Sequence, residues 1–217
     1  MENRGEGPMR RLLHFGVVAI LALALSGCGG GDSRTSFVAQ IASDQPADGD
    51  IAFDGTIFTI TNGLDTLFFG IDDNDPNFPE YRAFLDFPLD GSTGQDVVPA
   101  NAAIVSATLK VFLNEVSFAT VVPTLIDLVP YPVSGLRPQD FNSPPLVFRR
   151  LDFFRSDQGN FVAIDVTPLM QEAQRLGLSD FQVRFLLDFS VSDIGFVGIE
   201  DLPQVTITAP LLTVEYE

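Results

Sequence analysis

Apolar and polar residues alternate with a period of two along several stretches of the chain. The cleanest runs from Ile104 to Leu113. There Val105, Ala107, Leu109, Val111 and Leu113 share one face, while Ser106, Thr108 and Lys110 share the other. A period of two over ten residues predicts a half-buried antiparallel strand. Tyr81 to Phe87 repeats the pattern, with Ala83, Leu85 and Phe87 opposite Arg82 and Asp86. Phe181 to Leu187 sets Phe181, Val183, Phe185 and Leu187 against Gln182 and Arg184, and Leu212, Val214 and Tyr216 alternate with Thr213 and Glu215. Further apolar runs lie at 37–41, 56–61, 66–70, 116–122, 146–153, 160–166 and 204–208, broken by Pro, Gly, Asn and Asp. One helix is predicted, with Thr167 as its cap and Pro168 at its first position. Leu169, Met170, Ala173 and Leu176 form its apolar stripe, and Gly177 stops it. A single short helix among roughly ten strands predicts an all-β, jelly-roll-like antiparallel β-sandwich.

The first part of the chain follows a different pattern. Arg10 and Arg11 precede an uninterrupted apolar run from Phe15 to Leu25. That run is shorter than the ~20 residues a membrane-spanning helix needs, and it fits the apolar region of a secretory signal. Leu25-Ser26-Gly27-Cys28 follows at once and resembles the lipobox of bacterial lipoproteins. The resemblance implies cleavage before Cys28 and acylation of that residue. Each buried CH₂ contributes about 0.8 kcal/mol, so one chain holds a protein only marginally and two or three hold it firmly. The expected organisation is therefore a signal peptide over 1–27, a lipidated Cys28 with a flexible tether over 28–35, and one sandwich domain over 36–217. No internal repeat or shift in composition divides the last of these. Lipoproteins of diderm bacteria with Asp directly after the cysteine stay in the inner membrane. Gly29 at that place points instead to the outer membrane or cell surface.

Composition narrows the chemistry. The chain holds 12 Lys and Arg against 29 Asp and Glu, one His, one Cys, no Trp, three Tyr and 20 Phe. Removing residues 1–27 takes away Arg4, Arg10, Arg11, Glu2 and Glu6, leaving 9 basic and 27 acidic residues, a net charge of −18. His14 leaves with the leader, and Cys28 is the only thiol. Histidine-based triads, histidine metal centres, zinc clusters and disulfide frameworks are thereby excluded from the mature protein. Nucleic acid is excluded as a partner too, because its phosphates demand clustered Lys and Arg, and Lys110 is the only lysine.

Several segments taken in order resemble the DNRLRE-type domain, a lectin-like carbohydrate-binding β-sandwich of jelly-roll form. They are Thr66-Leu67-Phe68-Phe69-Gly70, Tyr81-Arg82-Ala83-Phe84-Leu85-Asp86-Phe87 and the strand entry from Pro99 to Leu109 that contains Ile104-Val105-Ser106-Ala107-Thr108-Leu109. Asp165-Val166-Thr167 and the closing Pro210-Leu211-Leu212-Thr213-Val214-Glu215-Tyr216 complete the set. The resemblance implies a glycan as ligand. The chain departs from the family at Phe141-Asn142-Ser143-Pro144, where a Trp is usual. Sugar-binding faces favour Trp or Tyr, whose rings pair a flat apolar face with a polar handle. Only Tyr81, Tyr131 and Tyr216 are available, and Tyr81 and Tyr216 fall inside strand patterns.

Two stretches carry candidate chemistry. Asp72-Asp73-Asn74-Asp75 places four oxygen-bearing side chains in a row and is the one candidate for a structural Ca²⁺, although Asx turns use the same residues. No other cofactor is expected. Arg137, Arg149, Arg150 and Arg155, interleaved with Phe141, Phe148, Phe153 and Phe154, would form either a cationic patch for an anionic ligand or a set of ion pairs around a core. Arg137, Arg149, Arg150 and Tyr131 are the ligand-binding candidates. With so many carboxylates some pair lies close by chance, so Asp86, Asp165 and Glu200-Asp201 carry no specific catalytic signal. The expectation is a lipid-anchored, non-catalytic envelope protein that binds a glycan. A structural or assembly lipoprotein contacting another envelope protein is the first alternative, and a carboxylate-based glycosidase or lyase the second.

Overall fold

The computed structural model describes residues 35–93, 96–202 and 207–217. The strands are β1 (Phe37–Ala42), β2 (Gly49–Phe53), β3 (Phe58–Asn62), β4 (Thr66–Ile71), β5 (Glu80–Pro88), β6 (Ile104–Ser117) and β7 (Val121–Leu128). They continue with β8 (Val147–Phe154), β9 (Asn160–Asp165), β10 (Asp180–Leu187), β11 (Phe196–Glu200) and β12 (Leu211–Tyr216), and helix α1 (Thr167–Arg175) follows β9. Every strand pair is antiparallel, in the order β1-β12-β6-β11-β4-β5-β10-β7-β8. Strand β9 adds to the free side of β6, and the β2–β3 hairpin adds to β5.

The sheet curls at the β4–β5 junction, where only Gly70↔Tyr81 and Ile71↔Glu80 are paired. Gly70 makes the turn possible. Its φ is +103°, and a Cβ there would lie 2.1 Å from the carbonyl oxygen of Gly195. The two halves then face each other as in a sandwich. Leu67, Phe69, Leu109, Val111, Val197 and Val214 of one half meet Leu85, Phe87, Phe153, Val183, Phe185 and Leu187 of the other in one buried core. Phe69 spans both layers, with its ring 5.8 Å from Phe153 and 5.7 Å from Phe185. Among the described residues the fold is all-β and antiparallel with one α-helix, as the periodicity predicts.

Details differ from the sequence pattern for local reasons. Val105 is exposed and Ile104 buried, because the ladder to β12 shifts register between Glu215 and Tyr216. The run at 116–122 is broken by a turn at Phe118, whose φ is +65°, so its ends belong to β6 and β7. Of the run at 204–208, Ile207 and Thr208 lie in a turn and the rest falls outside the described residues. Val166, not Thr167, is the helix N-cap. Thr167 Oγ1 instead donates to Asp165 Oδ1 (2.6 Å) and accepts from the Ala107 amide (2.9 Å), pinning the helix start to β6. Leu169, Met170 and Ala173 are buried, while Leu176 faces out.

A second, smaller core lies on the outer face of the β3-β2-β5-β10-β7-β8 half. The β7–β8 connection, residues 129–146, crosses this face and lays Val129, Tyr131, Leu136 and Phe141 on Ile51 and Phe84. Polar bonds hold it down. The Gln182 amide accepts from Tyr131 N (2.8 Å) and donates to Tyr131 O (3.0 Å). Arg184, itself paired with buried Asp127 at 2.5 Å, donates to the carbonyls of Asp140 and Phe141.

Candidate functional site

Alternation along the β2–β3 hairpin assigns its two faces. Ile51, Phe53, Phe58 and Ile60 pack into the small outer core, so Asp50, Ala52, Thr59 and Thr61 point the other way. Because β2 and β3 extend the sheet beyond β5, that second face is not filled by the main core. It forms the floor of a polar groove of about 190 Å³. Asp75, Asn77 and Pro79 from the β4–β5 loop form one wall, Asp54 and Ile57 from the hairpin turn another, and Tyr81 closes the end.

The groove is rigid at its centre. Asp50 is buried, with one carboxylate oxygen taking the Thr61 hydroxyl and the other the Phe68 amide at 3.0 Å. Burial pushes its carboxyl upward, and these two bonds oppose the shift. The Tyr81 ring stands edge-on to Phe196 at 5.4 Å and to Phe68 at 6.3 Å, and those two rings stack at 5.0 Å. Burial, with help from Asp50, Asp72 and Asp75, raises the Tyr81 phenol above its ordinary range, so it remains a hydrogen-bond donor. Asp54 accepts the Thr56 and Ile57 amides (2.8 and 2.7 Å), which hold its carboxyl low. The arrangement offers fixed carboxylate and hydroxyl oxygens beside an aromatic ring. These are the groups that recognise hydroxyl-rich ligands.

A larger cavity of about 300 Å³ beside the end of α1 has a different character. Its walls are mainly Val97, Val98, Pro99, Met170 and Leu178. Of its polar groups, Gln174 is committed to the Pro99 carbonyl (3.3 Å) and Asp90 to the Ser92 amide (2.9 Å). It lacks the oriented polar groups of the hairpin groove.

The residues singled out from sequence are dispersed. Asp72 and Asp75 cap Asx turns, each accepting an amide two residues on, from Asn74 and Asn77, at 2.9 Å. Among the described residues no group of three or more carboxylate, His or Cys side chains is placed to hold a metal ion. Arg137 pairs with Asp140 (3.4 Å), Arg149 with Asp165 (2.5 Å) and Arg150 with Asp188 (2.9 Å), while Arg155 donates to the Ala119 carbonyl. Arg149 and Arg150 are neighbours in β8 and point to opposite faces. Tyr131 is 7% exposed, under the covering loop. Cys28 and the leader lie outside the described residues. The sequence pattern singled out only Asp75 among the groove residues. A Thr-x-Thr opposite an Asp in a hairpin was the available signal, and it is a weak one.

The chain matches no family model and no curated protein. Among the described residues no helix is long and apolar enough to cross a membrane.

Proposed function

We propose that this is a lipid-anchored envelope protein whose sandwich binds a neutral or weakly charged glycan, without turning it over, in the groove between the β2–β3 hairpin and Tyr81. The observation that carries the reading is the groove itself, with its Asp50 and Thr61 oxygens fixed and a buttressed Tyr81 at one end. At about 190 Å³ it is smaller than the ~300–1,000 Å³ of drug-sized pockets, which suits one sugar unit of a longer chain. Shallow, wet sites with few anchors bind in the roughly micromolar to millimolar range. An array of β-glucan, mannan, xylan and chitin fragments tests the reading. Binding should fall at least tenfold in Tyr81→Ala, and binding that survives Tyr81→Ala would place the site elsewhere. Anchoring is tested separately by Cys28→Ser, which should release the protein from membranes; retention after normal cleavage would refute it.

One observation favours a protein partner instead. Phe148 and Phe154, 52% and 46% exposed, stand on β8 at the end of the sheet, with Val121 opposite Phe154. Edge strands with exposed apolar side chains are ready-made docking sites. Failure of every glycan, together with an envelope partner lost on Phe148→Ser, would move that reading to first place. The carboxyls of Asp48 and Asp201, which influence each other's ionisation, are 0% exposed and out of reach of a polysaccharide, which favours binding over turnover.

A further inference from the structure

Around the Tyr131 hydroxyl at the start of the covering loop, three carboxyl groups are buried. Asp48 precedes β2, Asp86 lies near the end of β5 and Asp201 directly follows β11; all are 0% exposed. No Arg or Lys forms an ion pair with any of them among the described residues. Asp48 Oδ2, both Asp86 oxygens and Asp201 Oδ2 lack hydrogen-bond donors, and the buried Tyr131 hydroxyl lacks a partner beside them. Gln182 lies against Asp86 but has committed its amide to the Tyr131 backbone.

Asp48 and Asp201 raise the sharpest problem, because each keeps one buried oxygen with no donor. Ionised carboxylates only accept, so neither of these groups can satisfy another unless one of them carries a proton. We propose that Asp48, Asp86 and Asp201, with the Tyr131 hydroxyl, form a buried proton-binding site that, when protonated, locks residues 43–48 and the start of the covering loop onto the sandwich and, when ionised, releases them.

The wiring gives the site this reach. The Asp86 amide donates to Asp48 Oδ1 (2.6 Å), and the Asp44 amide donates to the Asp86 carbonyl (2.9 Å). Ser43 Oγ donates to Asp201 Oδ1 (2.9 Å), and Gln45 Nε2 to the Asp201 carbonyl (2.9 Å). The groups facing the site from neighbouring elements add no positive charge. Asp44 acts on Asp86, Asp201 and Tyr131, Asp65 on Asp201, and Asp90 and Asp180 on Asp86, while Gln182 of β10 and Ser43 are neutral. Asp44 reaches Asp48 through the backbone bonds of its own turn. Burial, reinforced by these carboxylates, pushes Asp86 up to about 7 and raises Asp48 and Asp201 as well. Ionisation sets two or three like charges in a volume closed to water. The relief is to admit water by lifting the short 43–48 turn. The inference is independent of the glycan reading.

Hydrogen exchange of the full chain at pH 5.5 and pH 8.0, corrected for intrinsic rates, tests it. The hydrogen-bonded amides of Asp44, Ala47, Asp48, Val129 and Tyr131 should exchange at least tenfold faster at pH 8.0, with β6 and β12 unchanged. Asp86→Asn and Asp48→Asn, which mimic the neutral state, should each abolish the difference. Should either variant fail to fold, the side-chain carboxyl resonance of Asp86 in the wild-type chain should titrate near neutral pH. Equal protection at both pH values, persistence of the difference in both variants, or an Asp86 resonance titrating near 4 would overturn the proposal. So would Ca²⁺ restoring protection at pH 8.0 and EDTA abolishing it, since the site would then hold a cation.

Discussion

Two aspartates two positions apart, Asp48 and Asp50, are both buried and meet different fates. The Asp50 carboxylate is given a donor for each oxygen, from the Thr61 hydroxyl and the Phe68 amide, and it stands at a groove open to solvent. Asp48 receives one amide, from Asp86, and its other oxygen meets carboxyl groups and no donor. Alternation alone would put both on one face; they differ because Asp50 lies in the β2 ladder while Asp48 ends the turn before it, with its amide bonded back to Asp44 and Gln45. Burial alone does not decide whether a carboxylate is tolerable. The donors that the opposite elements supply decide it, and here they satisfy both oxygens of one aspartate and leave an oxygen of the other without a donor.

That contrast breaks most visibly at Asp86. Its folded value of about 7 lies above the ordinary 3.8, so its contribution is fully present below about pH 4 and is lost as pH rises through about 7. At full ionisation the loss reaches up to about 4 kcal/mol. Asp86→Asn should therefore stabilise the protein at pH 8 by up to about 4 kcal/mol and do little at pH 4. Urea midpoints across a pH series check this. On the acid side stability should fall again below about pH 4. Asp165, held near 2 mainly by Thr167 and Arg149, and Asp188, held low by Ser190, then lose their partners. For a chain this acidic the optimum should lie near pH 4–5.

Removing a donor should have the opposite sign. Thr61→Val strips Asp50 of its hydroxyl bond and should cost about 1–3 kcal/mol at pH 8, read from the same midpoints. Ser43→Ala sits between the two cases. It removes the hydroxyl that lowers Asp201 and should cost about 1 kcal/mol at pH 8 while shifting the stability slope to higher pH. The smallest effect belongs to Arg149. Its ion pair with Asp165 is exposed on both sides, so Arg149→Ala should change stability by less than about 1 kcal/mol.

The fold was largely legible because polar and apolar letters alternate along its central strands, even in β10, whose polar face the covering loop buries. In β6, β10 and β12 inward and outward positions follow the letters. Strand β2 was not legible, because Asp50 and Ile51 are both buried, one at the groove and one under the covering loop. Strand β7 was hidden by Pro123, which lies just outside the β10 ladder beginning at Thr124. Strand β11, Phe196–Glu200, is buried along nearly its whole length and interrupted by Gly198, so it carries no period. Asp86 was placed on the correct face by alternation, but its burial comes from residues far along the chain. The same holds for the candidate site. The alternation that gave Tyr81 a strand position says nothing of the hairpin and loop that turn it into the wall of a groove.

Ligand recognition is proposed for the Asp50 groove and proton binding for the Asp48 cluster. The most direct measurement is an amide NMR titration of the chain with the oligosaccharide that binds best on the array. Shifts should concentrate at Asp50, Thr59, Thr61, Asp75, Asn77 and Tyr81 and spare Asp86 and Asp201. Saturable shifts confined to Phe148–Phe154 or to the cavity beside α1, or no shifts at millimolar ligand, would contradict the account.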